Sequence, residues 1–303
     1  MNNPHRIGVD GGGTKTELIL LAADGAELAR LVAAGCNPSQ VGADQARSIL
    51  AGALRELTAK HPGPVSHSVL CMAGNGGFWK ETAAALKDYG AVTTLDDSAP
   101  VLELATNGAP GLVLHAGTGS FIAARSPDGA VHFTGGLGWK FGDPGSGFDL
   151  GRRAIGLALL ELQRRPPATG PASALADALR AHTALDDYSA NSRFFYNDPG
   201  ANAKIASFAP RVLALAAVDC EPAKKVVADS ITDLARLADT VIHRLFPPSP
   251  SKFPCGVSGR ILNSAPAAVV LRSLAGKLNW PVELRFMETP PIEGVRRLLA
   301  RMA

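Results

Sequence analysis

Asp10 closes a short apolar run, Ile7-Gly8-Val9, and is followed at once by Gly11-Gly12-Gly13-Thr14-Lys15-Thr16. Glycines at this density let a backbone approach an anion closely and turn several N–H groups toward it. Thr14 and Thr16 add hydroxyl donors and Lys15 a cation, while Asp10 offers a carboxylate suited to a hydrated magnesium ion. The segment Gly117-Thr118-Gly119-Ser120 repeats this chemistry, again directly after an apolar run, Leu112-Val113-Leu114-His115. Two such loops facing one another would clamp a polyphosphate from both sides. A third feature is Asp96-Asp97, placed after Val92-Thr93-Thr94-Leu95. A carboxylate at the end of a central strand can take the proton of an attacking hydroxyl, although only one of the two can face a cleft. Both would alternatively serve as caps of a helix over Ala99 to Leu104.

The glycine spacing excludes the common nucleotide loops. A dinucleotide loop needs strand, GxGxxG and then helix, whereas here a strand follows the turn. A Walker A loop needs GxxxxGK[ST], which the chain lacks. Either glycine segment alone would pass for a tight turn; their matching positions in two halves speak for a ligand.

The elements that must position these residues repeat. Ile7 to Val9, Glu17 to Leu21 and Glu27 to Val32 read as three strands, with Asp24-Gly25 as a hairpin turn. Helical periodicity follows from Asp44 to Lys60 and stops at Pro62-Gly63-Pro64. A strand Val69 to Met72, a helix from Trp79 to Asp88 and a strand Val92 to Leu95 complete the first half. The second half opens the same way, with strands at Leu112 to His115, Phe121 to Arg125 and Val131 to Phe133. A helical insertion then spans about 148–246, with a surface loop at 165–171. Strands at Phe253 to Val257 and Val282 to Phe286 enclose a helix Pro266 to Leu278, and a last helix starts at Pro291. The expectation is an α/β protein of two ribonuclease H-like βββαβα lobes facing a central cleft. Residues 1–107 would form the N-terminal lobe, and 108–303 the C-terminal lobe with its insertion.

The bulk properties narrow the class. The chain has 303 residues, 46% hydrophobic and 19% charged, with a net charge of +3 and scattered basic residues. No basic stripe interleaved with aromatics appears, so nucleic acid is not an expected partner. No apolar stretch reaches the ~18 residues of a membrane span, and no signal core opens the chain, so a cytoplasmic, membrane-free protein is expected. Cys36, Cys71, Cys220 and Cys255 form no CxxC pair and read as buried thiols.

The segments Ile7 to Thr16, Ala116 to Ser120 and Gly142-Asp143-Pro144-Gly145-Ser146 together resemble the N-acetylglucosamine kinase group. More broadly they resemble the BadF/BadG/BcrA/BcrD ATPase family within the sugar kinase, Hsp70 and actin superfold. The resemblance runs in order along nearly the whole chain. It implies an ATP-dependent amino-sugar kinase using ATP and Mg2+, which turns N-acetylglucosamine into N-acetylglucosamine 6-phosphate, and it points to a homodimer. It further implies that Asp10 binds magnesium and that Asp10 with Gly12, Gly13, Thr14 and Lys15 serves the phosphates. Gly117, Thr118, Gly119 and Ser120 would hold them from the other lobe, and Gly256 and Gly259 would belong to the adenosine loop. Asn37, Gly74, Asn75 and Asp143 match sugar-contacting positions, and Asp97 matches the catalytic base. The chain departs from the family at Pro144, where Glu is common, and at Ser98, where Ala is usual.

Residue by residue, blander roles compete. Asn37 before Pro38 makes a turn, Asp143 complements a helix N-terminus, and Lys15 fits a solvated strand edge. His115 reads as a satisfied core histidine. Trp139 suits either a sugar face or a hinge. Among functions, glucosamine or another amino sugar is the alternative substrate. An ATPase that activates a radical dehydratase is the alternative class, but it needs paired cysteines for an iron–sulfur cluster, and none occurs between Cys71 and Cys220.

Overall fold

Leu18-Ile19-Leu20-Leu21 is apolar without alternation, the pattern of a strand covered on both faces. In the computed structural model, which describes residues 4–164, 172–198, 200–248 and 251–302, it is such a strand. Leu18 and Leu20 pack into one cluster with Leu50, Leu54 and Leu57, while Ile19 and Leu21 pack into another with Ile292, Val295 and Leu299. The expected loop at 165–171 lies outside the described residues.

The chain divides into two compact units. Unit 1 runs to Gly108 and takes in the segment from Thr289 onward, and unit 2 is Ala109–Glu288. Unit 1 begins with β1 (His5–Gly11), β2 (Lys15–Leu21), β3 (Glu27–Ala34), α1 (Pro38–Val41) and α2 (Ala43–Lys60). It continues through β4 (Val65–Met72), α3 (Gly76–Ala84), a short 3-10 turn (Lys87–Tyr89), β5 (Ala91–Asp96) and α4 (Ala99–Thr106). Unit 2 carries β6 (Gly111–Ala116), β7 (Ser120–Arg125) and β8 (Val131–Gly135), followed by six helices. These are α5 (Gly147–Arg164), α6 (Ala174–Thr183), α7 (Tyr188–Tyr196), α8 (Ala201–Ala206), α9 (Ala209–Ala217) and α10 (Glu221–Leu245). Then come β9 (Phe253–Ser258), α11 (Ala265–Lys277) and β10 (Val282–Phe286). The last element, α12 (Pro291–Arg301), returns to unit 1.

Both sheets have one plan. Unit 1 is ordered β3-β2-β1-β4-β5, and unit 2 reads β8-β7-β6-β9-β10 in the same sense. In each, three strands form an antiparallel meander, and two more join parallel to the first strand. This is the duplicated α/β, ribonuclease H-like fold expected of the sequence, and helices α5 to α10 occupy the expected insertion.

The last helix departs from the expected lobe at 108–303. Its apolar residues Ile292, Val295 and Leu299 recur at helical spacing and are fully buried on the face of the first sheet that α2 leaves uncovered. Each contributes about 1.5–3 kcal/mol by leaving water. The fit is close: a Cβ on Gly8 would stand 2.9 Å from Val295 Cγ1, and one on Gly294 only 2.0 Å from the carbonyl oxygen of Pro100 in α4. Arg301 pairs its Nε with buried Glu103 at 2.9 Å and donates to the carbonyl oxygen of Asn107 at 2.6 Å, just past the α4 C-terminus. Sequence order gives no hint that a terminal helix caps the first sheet.

Candidate active site

In unit 1 the strand register gathers the chemistry at one end of the sheet. Asp10 of β1 lies opposite Cys71 of β4, and Met72 of β4 lies opposite Asp96 of β5. Three segments meet around the first glycine loop. Gly12 N–H donates to the Lys15 carbonyl at 2.9 Å, Cys36 N–H to the Gly12 carbonyl at 3.1 Å, and Ala73 N–H to the Gly11 carbonyl at 2.8 Å. Gly35 must be glycine here, because its Cβ would stand 2.1 Å from the Gly13 carbonyl oxygen. The Gly13 and Thr14 amides take no acceptor within the chain. Thr16 is turned inward, its hydroxyl bonded to the Ala34 carbonyl at 2.8 Å.

Carboxylates crowd this end. Burial, followed by the charges of Asp96 and Asp10, pushes Asp97 up to about 7. Burial raises Asp10 to about 6, with Lys15 opposing and Glu17 reinforcing the rise. Asp96 accepts from the Ser98 amide at 2.9 Å, just ahead of α4, and Asp97 is itself hydrogen-bonded to Asp96. Glu17 was not anticipated. It pairs directly opposite Asp10 across β1 and β2, is buried, and holds Lys15 Nζ at 2.6 Å and Arg30 Nη1 at 3.0 Å. Gln40 was also missed, although a Cβ on Gly13 would stand 2.7 Å from its side-chain amide.

Asn37 and Gly74 are neighbours: a Cβ on Gly74 would stand 2.6 Å from Asn37 Oδ1. Gly74 has φ +97°, a conformation open to glycine. The two asparagine oxygens already cap short helices. Asn37 accepts from the Ser39 amide at 3.0 Å, and Asn75 from the Gly77 and Phe78 amides at 2.8 and 3.2 Å. Their amide NH2 groups stay available to a ligand.

Unit 2 assembles the second loop. The Gly117 amide donates to the Gly119 carbonyl at 2.9 Å, closing the turn between β6 and β7. The start of α5 grips the loop from behind, Gly147 N–H bonding the Gly117 carbonyl at 2.8 Å and Phe148 N–H the Thr118 carbonyl at 3.1 Å. The Thr118 and Gly119 amides take no acceptor within the chain. The Ser120 hydroxyl is turned inward and donates to the Pro144 carbonyl at 2.7 Å. Asp143 comes to this loop: a Cβ on Gly119 would stand 2.9 Å from its Oδ2, while its Oδ1 accepts from the Gly138 amide at 3.1 Å. Burial raises the Asp143 pKa. Asn37, Gly74 and Asn75 belong to unit 1 and Asp143 to unit 2.

The turn at 142–146 is fixed by residues the sequence did not reveal. The buried Ser230 hydroxyl of α10 accepts from the Gly145 amide at 3.1 Å and donates to Asp149 at 2.6 Å. Asp149 is buried and also accepts from Arg152 and Arg153, each at 2.9 Å. Gly259 follows β9 at φ +91°, with its would-be Cβ 2.2 Å from the Ala116 carbonyl oxygen, so it touches the end of β6. Gly256 is not part of that loop; it sits inside β9, in register with Val113. All four cysteines are free. Cys36, Cys71 and Cys255 are buried, and burial pushes each thiol up, Cys255 to about 12.

The family model described as the BadF/BadG/BcrA/BcrD ATPase family matches residues 7–268. The chain belongs to that family. Among its relatives, the N-acetylmuramic acid/N-acetylglucosamine kinase of Clostridium acetobutylicum is 26% identical over 60% of this chain, which spans 63% of that relative's length. The N-acetyl-D-glucosamine kinase of Dictyostelium discoideum is 26% identical over 84% of each chain. Among solved structures, a putative N-acetylglucosamine kinase from Chromobacterium violaceum is 25% identical with a TM-score of 0.77, covering 99% of this chain and 100% of the other. No helix among the described residues is long and apolar enough to cross a membrane.

Proposed function

We propose that this protein is an ATP-dependent amino-sugar kinase, with N-acetylglucosamine as acceptor and N-acetylglucosamine 6-phosphate as product. The observation that carries the reading is Asp97. It is a half-buried carboxylate just past β5, its pKa held near neutral by its burial and by the charges of Asp96 and Asp10. Such a group is suited to accept a hydroxyl proton as the oxygen attacks a phosphoryl group. The kinases named among the relatives support an amino-sugar acceptor.

Phosphoryl transfer asks a protein mainly for positioning and charge neutralisation. The free amides of Gly13 and Thr14 in the Gly12–Lys15 turn, and those of Thr118 and Gly119 in the Gly117–Ser120 turn, are the donors for phosphate oxygens. Gly259 takes the adenosine side, and Lys15 moves from Glu17 to phosphate. Asp10 would hold magnesium, which would supply positive charge to the phosphates. The donor set fits that ion. Among the described residues no trio of His, Cys, Asp or Glu converges as a metal cage. Magnesium usually keeps its waters and takes one or two carboxylates together with phosphate. The sugar is assigned to the Asn37 and Asn75 amide groups, the open backbone at Gly74, and Asp143. Asp97 then takes the proton of the reacting hydroxyl. A cytoplasmic location and a homodimer accompany this reading; sedimentation at micromolar concentration tests the dimer.

Phosphorus NMR of the product of Mg-ATP and N-acetylglucosamine tests the position of transfer. The reading expects one phosphomonoester coupled to the two C6 protons. A signal of inorganic phosphate alone would overturn it.

A further inference from the structure

His115 was expected to be a satisfied core histidine, and half of its ring is. The ring stands next to the end of β6, two residues before Gly117. Its cross-strand partners on either side are Ser258 of β9 and Phe121 of β7. It stacks on Phe121 with centroids 4.8 Å apart, and Phe121 stacks on Phe133 at 5.4 Å, so the ring plane is set by packing. Nδ1 lies 3.2 Å from Ser258 Oγ. Nε2 has no partner in the chain. It sits where a Cβ on Gly117 would be 3.5 Å away, beside the loop whose Thr118 and Gly119 amides are also without acceptors. One ring nitrogen is thus packed and paired, while the other stands open beside that loop.

We propose that His115 is a nucleotide-binding residue: with Ser258 donating its hydroxyl to Nδ1, the imidazole carries its proton on Nε2 and donates it to a phosphate oxygen held by Gly117–Ser120. The inference rests on the kinase reading and extends it to a residue outside the glycine loops. It requires a neutral ring, since one tautomer then makes Nε2 a fixed donor. Burial supports this by holding the His115 pKa down to about 4. His115 thereby supplies direction to the phosphate oxygen rather than charge. Ser258 acts one step away as a positioning residue, because its hydroxyl selects the tautomer.

The test uses AMPPNP with magnesium as probe, binding measured by calorimetry, and ring nitrogens read by long-range 1H–15N NMR. In the wild-type protein the His115 spectrum should show Nε2 protonated and Nδ1 bare, with the Nε2 resonance moving on AMPPNP addition. His115→Leu should weaken AMPPNP about tenfold, in the range of a hydrogen bond to a charged group. His115→Gln, which keeps an N–H near the same place, should recover most of it, and N-acetylglucosamine binding without nucleotide should not change. Ser258→Ala should leave a mixed tautomer and a smaller loss. The proposal is overturned if Nδ1 carries the proton, if Nε2 ignores the nucleotide, or if His115→Leu binds AMPPNP like the wild type. The wild-type spectrum decides even where a variant fails to fold. Failure of wild-type protein to bind AMPPNP at all would overturn the kinase reading along with this one, whereas normal wild-type binding that His115→Leu shares would overturn only the role of His115.

Discussion

Asp97 resists ionisation because its burial and the charges of Asp96 and Asp10 act in the same direction. A base must be deprotonated to work, so kcat should climb as pH rises from about 6 to about 8, through the value near 7. Asp96→Asn removes one of the opposing charges and should move that limb to lower pH, which a pH–rate profile of the two proteins would reveal. Asp97→Asn should lower kcat at least about a hundredfold, the usual scale for a lost general base. The same crowding should cost stability. With its folded pKa above the unfolded value of 3.8, Asp97 favours the fold fully only below that value. This contribution is lost progressively as pH rises to about 7 and stays lost above it. Asp97→Asn should therefore melt at a higher temperature than wild type at pH 8, with the difference fading towards pH 4. An inactive variant that melts lower at pH 8 would speak against a strained carboxylate. At this scale the sequence disclosed the carboxylates and glycines, whose types announce their chemistry. It hid Glu17, which meets Asp10 only through the β1–β2 register, and Ser230, which reaches the 142–146 turn and Asp149 from more than eighty residues along the chain.

Glycines at the contacts between elements make the next prediction. Gly294 sets α12 against α4, where an added Cβ would lie 2.0 Å from the Pro100 carbonyl oxygen, and backbone cannot yield as a side chain can. Gly294→Ala should cost about 1–3 kcal/mol, the usual range for overpacking, visible as a lower melting temperature. Because α4 begins two residues after Asp97, the same change should lower kcat more than it raises the KM for sugar. Gly35→Ala makes the opposite split. Its Cβ would press on the Gly13 carbonyl, 2.1 Å away, and displace the first phosphate loop, so the KM for ATP should rise. Strand and helix positions were legible because turn residues such as Asp24-Gly25 and Pro62-Gly63-Pro64 separate the apolar runs. The continuous Leu18 to Leu21 run marked a strand covered on both faces, yet nothing in the run says which helix supplies the second cover.

The molecule as a whole is one βββαβ plan used twice, with the chain's last helix returned to the first unit. Ending the chain at Glu288 would strip Ile292, Val295 and Leu299 from the first sheet and expose Ile19, Leu21 and Val69. Hydrogen exchange on such a truncated protein should show β1, β2 and β4 losing protection while β6, β7 and β9 keep theirs. Equal protection in both sheets would contradict the packing account. The duplication was readable because each half opens with an apolar strand, a glycine turn and a second strand. The division between units was not, because it depends on which sheet face lacks a helix. In the proposed kinase, ATP is consumed only when an amino sugar is present to receive its phosphate and Asp97 to take the proton. The direct measurement is ADP release from Mg-ATP, coupled to NADH oxidation, with N-acetylglucosamine, glucosamine, N-acetylmannosamine, N-acetylmuramic acid and glucose in turn, for wild type, Asp96→Asn and Asp97→Asn. Release should depend on sugar, be fastest with N-acetylglucosamine, and be lost in Asp97→Asn but retained in Asp96→Asn. Release that proceeds equally without any sugar, or that survives in Asp97→Asn, would contradict the kinase reading.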